Sequence, residues 1–252
     1  MRVVCLIQAR RNSYRLQNKV LAKIGSKTML SRVIERCEAI APRFPVYAIT
    51  PPGDKDLAPN TIAPDCPEAD VLQRHVLAAR ELKADAVMRV TSDCPFIDPE
   101  IAREVLDIFL SCKLDYACND FEPTYPKGLG VEVMTMEALE YAHSRVPSDA
   151  EYDRQHCSPF IIRHVRGWAT SKGNVDRTHK VFDGRCLRCP VVGISGINLS
   201  VDEQYDLDLA RAIYATGIIP DDVIRPMVHT LVAYRFVMDH WHDGTQINIP
   251  QP

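Results

Sequence analysis

The sequence predicts an α/β protein built as a three-layer sandwich, a mainly parallel sheet covered by helices on both faces. Three observations predict it. Short, β-branched apolar runs alternate with longer segments of helical period along the 252 residues, the pattern of βαβ units. The apolar runs are continuous, as in strands with both faces buried. The loops that follow them carry the basic and acidic residues, and in open parallel sheets the ligand crevice lies at the carboxyl ends of strands.

Arg2 to Gln8 reads as the first buried strand. Residues 27–41 read as a helix, with Leu30, Val33, Ile34, Cys37 and Ala41 on one face. Pro45 to Thr50 reads as a strand that ends at Pro51-Pro52-Gly53. Asp70 to Leu82 has apolar residues at helical spacing, and Ala84 to Thr91 is again a strand. Asp98-Pro99-Glu100 opens a helix, with Asp as N-cap and Pro in the first turn. Residues 119–130 hold two prolines and two glycines and read as a long loop. Asn198 to Asp202 reads as a strand tip, 203–215 as a helix, 221–240 as another, and 243–252 as coil. We expect one domain over 1–217, with 218–252 forming a C-terminal helix and tail packed on it or at a dimer interface.

Composition excludes some functions. A net charge of −3 argues against nucleic-acid binding, which needs a basic excess. No apolar run approaches the roughly 20 residues of a membrane span, and the first residues do not read as a signal peptide. Nine scattered cysteines fit a reduced, cytoplasmic protein. Cys186 and Cys189 form a single CxxC without a second pair or a His pair, and read as free thiols in preference to a zinc site. A homodimer is the default expectation for assembly.

Two loops carry chemistry. The segment after the first strand, Gln8 to Lys19, contains Arg10, Arg11, Arg15 and Lys19 with Asn and Ser residues between. Such a loop suits a triphosphate, although solvated loops also carry basic residues. Thr91-Ser92-Asp93 ends another strand, and Asp202 stands at the 198–202 tip. Magnesium takes one or two carboxylates, with water and phosphate completing its shell. Taken singly, each Asp could equally be a turn or N-cap residue.

Together these pieces resemble the cytidylyltransferase family of the spore-coat polysaccharide SpsF type, related to the acylneuraminate and deoxyoctulosonate (KDO) cytidylyltransferases. The resemblance rests on six ordered blocks. They are Ile7-Gln8-Ala9-Arg10 through Ser13, Arg15-Leu16 and Lys19-Val20-Leu21; Asp70 to Arg74; Val90 to Pro99; Tyr125 to Val133; Arg154 to Ile161; and Ser200-Val201-Asp202 with Asp206-Leu207. The family usually has Gly and Pro where this chain has Asn12 and Gln17, Asp where Gly130 stands, and Trp or Arg before the Ser of the last block.

The resemblance implies a Rossmann-like nucleotidyltransferase fold of the GT-A-like type and transfer of CMP from CTP to a small acidic acceptor such as a nonulosonic or octulosonic acid. It implies catalytic roles for Arg10, Lys19, Asp93 and Asp202, with Mg2+ held by Asp93 and Asp202. It places the nucleotide on Gln8, Ala9, Arg10, Ser13, Arg15, Lys19, Asp70, Arg74 and Ser92, and Glu68 near the base or ribose. It places the acceptor near Glu132, Arg154 and His156. Alternatives are a glycosyltransferase using a nucleotide sugar, against which the strongly basic loop speaks, a uridylyl- or guanylyltransferase, and a non-catalytic nucleotide-binding relative.

Overall fold

The computed structural model describes residues 1–41, 44–168 and 180–240. The centre is β1 (Val3–Gln8), flanked by β4 (Val46–Ile49) on one side and β6 (Ala86–Thr91) on the other, all parallel. Ile7 pairs with Ala48 and with Val90, so β1 is hydrogen-bonded along both edges. The seven-stranded sheet continues through β5 (Thr61–Ile62) outside β4, and through β8 (Glu132–Thr135), β7 (Tyr116–Cys118) and β9 (Gly184–Cys186) beyond β6. The strand β8 is antiparallel to both neighbours. A separate hairpin joins β2 (Lys23–Ile24) and β3 (Lys27–Thr28).

Side chains of β1 alternate between two cores, which explains its unbroken apolar run. Cys5 and Ile7 enter one cluster, with residues of α1 (Met29–Glu38), α3 (Pro99–Ser111), α7 (Gln204–Ala215) and α8 (Met227–His240). Val4 and Leu6 enter the other, with α2 (Val71–Glu81), α4 (Met136–Arg145) and α6 (Pro159–Arg163). Helix–sheet–helix layering follows, as the alternation of elements predicts.

Caps set the helix starts. Thr28 accepts a hydrogen bond from the Ser31 amide, so α1 begins at Met29, not at 27. Asp98 accepts from the Glu100 and Ile101 amides at 2.7 and 3.2 Å, as its Asp-Pro-Glu context predicts; such a cap contributes ~1 kcal/mol. Its second oxygen also accepts from the Met227 amide, tying α8 to the start of α3. The helix read over 221–240 starts only at Met227, because Pro226 disfavours helical backbone at Arg225. Ala233 and Val237 of α8 sit fully buried in the first core.

Four observed elements had no periodic signal long enough to read: β5, β7, β8 and β9 span two to four residues each. Helix α4 and the short α5 (Glu151–His156) and α6 were likewise not anticipated. One reading is corrected: 198–202 is not a strand tip but irregular backbone with one isolated bridge, Asn198 to Lys127, and a bend at Ser200. The coil expected at 243–252 lies outside the described residues. Among the described residues, no helix is long and apolar enough to cross a membrane.

Candidate active site at the carboxyl edge of the sheet

Strands β1, β4 and β6 end along one edge of the sheet, and β8 begins there because it runs the other way. A cavity of about 780 Å³ opens along this edge. Gln8, Ala9, Arg10, Ser13, Arg15, Lys19, Glu68, Arg74, Ser92, Asp93, Asp202, Glu132 and His156 all line it.

Its densest chemistry is a cluster around Lys19. The Lys19 ammonium donates to Asp93 Oδ2 at 3.0 Å, Asp202 Oδ1 at 3.2 Å and the Val201 carbonyl at 2.8 Å. Arg15 approaches the same Asp202 oxygen at 2.9 Å, and Lys127 approaches its other oxygen at 2.9 Å. Against burial, which opposes ionisation, Lys127 and Lys19 hold the Asp202 carboxyl below its usual range.

Three sequence features bring these distant residues together. The Val201 amide donates to the Asp93 carbonyl at 2.8 Å, stitching the turn after β6 to the 198–202 segment. Asp206 closes a capping box at the start of α7 and also accepts from the Asp202 amide at 2.9 Å, fixing the backbone that carries the carboxylate. Gly128 lets the 125–130 loop cross 197–200 closely: the Lys127 amide donates to the Ile197 carbonyl at 2.9 Å, and the Leu199 amide donates to the Lys127 carbonyl at 2.8 Å. A Cβ at Gly128 would fall 2.5 Å from the Ser200 nitrogen, and its φ of +96° disfavours any side chain.

Magnesium is the metal the resemblance implies, and the donor set fits it. Two carboxylates converge on a point already held by a cation, the Lys19 ammonium. Two protein carboxylates with the remaining positions left to water and phosphate is the magnesium pattern. Among the described residues, no group of three or more His, Cys, Asp or Glu side chains assembles a closed metal cage.

The basic loop divides in two. Arg10 reaches Glu68 at 3.2 Å and remains half-exposed at the cavity wall. Arg11 turns away, forming an ion pair with Asp56 and contacts to Asp54 through both its side chain and amide. Of the four basic residues read as one phosphate cradle, Arg11 is a strut for the 54–56 loop. Arg74 is almost wholly buried, donates to the Pro67 and Glu68 carbonyls, and leaves its Nε without a partner among the described residues.

Further along the cavity, Glu132 is buried between Arg89 and the Tyr116 hydroxyl, both hydrogen-bonded to it. Arg89 also donates to Gln8 Oε1 at 3.0 Å, so Gln8 and Glu132 share one guanidinium. Burial works against that charge, but Glu132 raises the Arg89 pKa well above its usual value. His156 ends α5 beside the Tyr152 ring, 4.4 Å between centroids.

Two expected residues lie elsewhere. Asp70 caps α2, accepting from the Gln73 amide at 2.9 Å, and pairs with Arg154. Arg154 donates to the carbonyls of His143, Val146 and Pro147, binding α5 to the end of α4. Neither lines the cavity. A carboxylate that satisfies helix amides and a guanidinium satisfied by three carbonyls are held as structure.

Lys127, Asp206 and Asp120 were not singled out from sequence; the first two sit inside quoted blocks, and Asp120 directly follows the short strand β7. Cys94 packs behind Asp93, and burial with that neighbouring charge pushes its thiol well above its usual range, so it stays protonated. Cys186 faces Cys118 in the β7–β9 register, and Cys189 donates its amide to Thr124.

An open α/β sheet with basic side chains and two carboxylates converging at its carboxyl edge defines a phosphate-handling enzyme of the Rossmann-like class. Comparison with known proteins makes this specific. A family model described as "Cytidylyltransferase" matches residues 4–43. The 3-deoxy-manno-octulosonate cytidylyltransferase of Idiomarina loihiensis is 32% identical over 202 residues, 70% of this chain and 78% of that protein. The spore coat polysaccharide biosynthesis protein SpsF of Bacillus subtilis is 27% identical over 178 residues, 64% of this chain and 70% of that one. The solved structure of a cytidylyltransferase from Leptospira borgpetersenii superposes with a TM-score of 0.79 at 23% identity, covering 100% of this chain and 98% of that one. The chain belongs to the cytidylyltransferase family, whose members are CTP-dependent nucleotidyltransferases.

Proposed function

We propose that this enzyme transfers CMP from CTP to a small acidic sugar of the octulosonic or nonulosonic type, releasing pyrophosphate, in the synthesis of a surface polysaccharide or glycoconjugate. The observation that carries the reading is the Lys19 ammonium held between Asp93 and Asp202, facing a loop that supplies Arg10 and Arg15. The acidic acceptor is supported by the 3-deoxy-manno-octulosonate cytidylyltransferases among the relatives. All nine cysteines are unpaired, which supports a reducing, cytoplasmic setting.

In this reaction an acceptor hydroxyl oxygen attacks the α-phosphorus, the bond to the β-phosphate oxygen breaks, and pyrophosphate leaves in line. The acceptor and the triphosphate are both anionic, so catalysis is chiefly positioning and charge neutralisation. Asp93 and Asp202 would hold the magnesium ion, which when bound would supply positive charge to the triphosphate. Arg10 and Arg15, half-exposed on the opening loop, take the outer phosphates through forked donors. Lys19, only 12% exposed, adds fixed positive charge where negative charge grows in the transition state. Arg74 donates from a buried position to the Glu68 carbonyl, and we assign the base and ribose to that side of the cavity.

The test is pyrophosphate release from each nucleoside triphosphate, with and without magnesium, against a panel of 3-deoxy-2-ulosonic acids. Release from CTP with one acid, dependent on magnesium and lost in Asp93→Asn, is the expected result. Tight CTP binding with no release from any pairing overturns the acidic-sugar acceptor, and failure to bind CTP overturns the nucleotide assignment.

A further inference from the structure

The cavity extends past the proposed phosphate site to a carboxylate that the reaction as described does not use. Asp120 follows β7, two strands beyond the strand that carries Asp93, or about 10 Å at ordinary strand spacing. Its backbone is fixed by its neighbour: Asn119 donates to the Leu129 carbonyl at 2.8 Å and accepts from the Val131 amide at 2.7 Å. The Asp120 side chain is exposed to the cavity and lines it.

Room for that carboxylate comes from Gly130. A Cβ at position 130 would lie 2.9 Å from Asp120 Oδ2, inside van der Waals contact. Gly130 has an ordinary negative-φ backbone, unlike Gly128, so what it supplies here is space.

The cations around Asp120 are engaged with other groups. Arg89 is bonded to Glu132 and Gln8, Lys127 to Asp202, Arg188 to Glu122, and Arg154 lies outside the cavity. Among the described residues no side chain donates to Asp120. Burial and the Glu132 charge push its carboxyl up to about 7, with Cys186 adding to the rise and Arg89 and its own backbone opposing. A carboxylate ringed by protein, open to a substrate cavity and without a side-chain donor among the described residues has acceptor capacity that a ligand can fill.

We propose that Asp120, given space by Gly130, selects the acceptor by accepting a hydrogen bond from a hydroxyl or ammonium group at the acceptor's tail, the end remote from the attacking oxygen. This rests on the acidic-acceptor reading above. It makes Asp120 a specificity residue and leaves the phosphate chemistry to Lys19, Asp93 and Asp202.

The test compares Asp120→Ala and Asp120→Asn with the unaltered enzyme on octulosonic and nonulosonic acids bearing a terminal hydroxyl, a terminal amine or neither. Asp120→Ala is expected to raise KM for the donor-bearing acid by on the order of 10- to 100-fold, with KM for CTP unchanged. The acid lacking the tail donor is expected to respond to neither substitution. Asp120→Asn separates the two donors: a carboxamide still accepts from a hydroxyl, so hydroxyl-tailed acids are retained, whereas an ammonium loses its counter-charge and amine-tailed acids are lost. An unchanged acceptor KM in Asp120→Ala, or an equal rise in KM for CTP, overturns the proposal. If no acid supports pyrophosphate release, the acceptor reading has failed by itself. Asp120 is then followed through its 13C-labelled carboxyl resonance in the CTP-loaded protein, titrated with mannitol and with glucamine. A saturable shift with either supports the subsite, and no shift with both overturns it.

Discussion

The Lys19 ammonium lies 3.2 Å from Asp202 although 183 residues separate them in the chain. The same nitrogen touches Asp93 at 3.0 Å, so three loops meet at one cation. Asp93→Asn is expected to lower kcat for pyrophosphate release by about 10²- to 10³-fold, the ordinary effect of removing one pre-placed electrostatic group. Lys19→Met is expected to do the same while leaving the magnesium dependence intact. Steady-state kinetics with a magnesium titration distinguish the two, because only the Asp93 variant loses its metal response.

The meeting of those loops depends on the close crossing at Gly128. Gly128→Ala places a Cβ 2.5 Å from the Ser200 nitrogen and forces a side chain onto a φ of +96°. Overpacking of this kind costs about 1–3 kcal/mol, and here the cost falls on the backbone that carries Asp202. Chemical denaturation is expected to show a loss of that size, together with reduced pyrophosphate release. Gly53→Ala, with nothing within 4 Å of its Cβ, is the matched control and is expected to change neither.

How much of this was legible in the sequence depends on the range of the signal. The central strands β1, β4 and β6 read correctly because each is its own apolar run, and the helices α2, α3 and α7 because each carries its own periodicity and cap. Asp98 shows why: the hydrogen bonds by which it caps α3 run to residues two and three positions away. The strand β8 did not read, since four residues, three of them buried, carry little pattern and nothing local fixes their direction. Site residues followed the same rule. Arg10, Lys19, Asp93 and Asp202 were visible as members of recurring blocks. The separation of Arg11 from Arg10 was not, because it depends on Asp54 and Asp56, more than forty positions away. Asp120 was signalled only indirectly, by a glycine at 130 whose vacant space its carboxylate occupies.

Arg154 tests the difference between a pocket residue and a strut. Its guanidinium joins three carbonyls at the end of α4 to Asp70 at the start of α2. Arg154→Ala strands those acceptors and leaves Asp70 without its counter-charge in a largely buried position. The expected outcome is a loss of about 2–4 kcal/mol in urea unfolding, with KM for acceptor and for CTP unchanged at a temperature where the variant is folded. A large rise in acceptor KM without a stability change would return Arg154 to the binding site.

His75 gives the stability its dependence on acid. The ring is fully buried on α2, with Nδ1 bonded to the Val71 carbonyl at 2.8 Å and Nε2 without a partner among the described residues. Burial, reinforced by the charges of Arg89 and Arg74, lowers its pKa to about 3, whereas an unfolded histidine titrates near ~6.5. Between those values the unfolded chain binds a proton that the folded protein refuses, so stability falls as pH falls. The contribution is fully present above about pH 6.5 and declines by up to ~1.4 kcal/mol per unit toward pH 3. From pH 6.5 to 5.0 this amounts to about 2 kcal/mol. His75→Met keeps an apolar side chain in the site and removes the titration. Urea unfolding at pH 7.5 and 5.0 is therefore expected to show a pH-dependent loss about 2 kcal/mol smaller in the variant than in the unaltered enzyme; equal losses would mean that His75 is protonated in the fold.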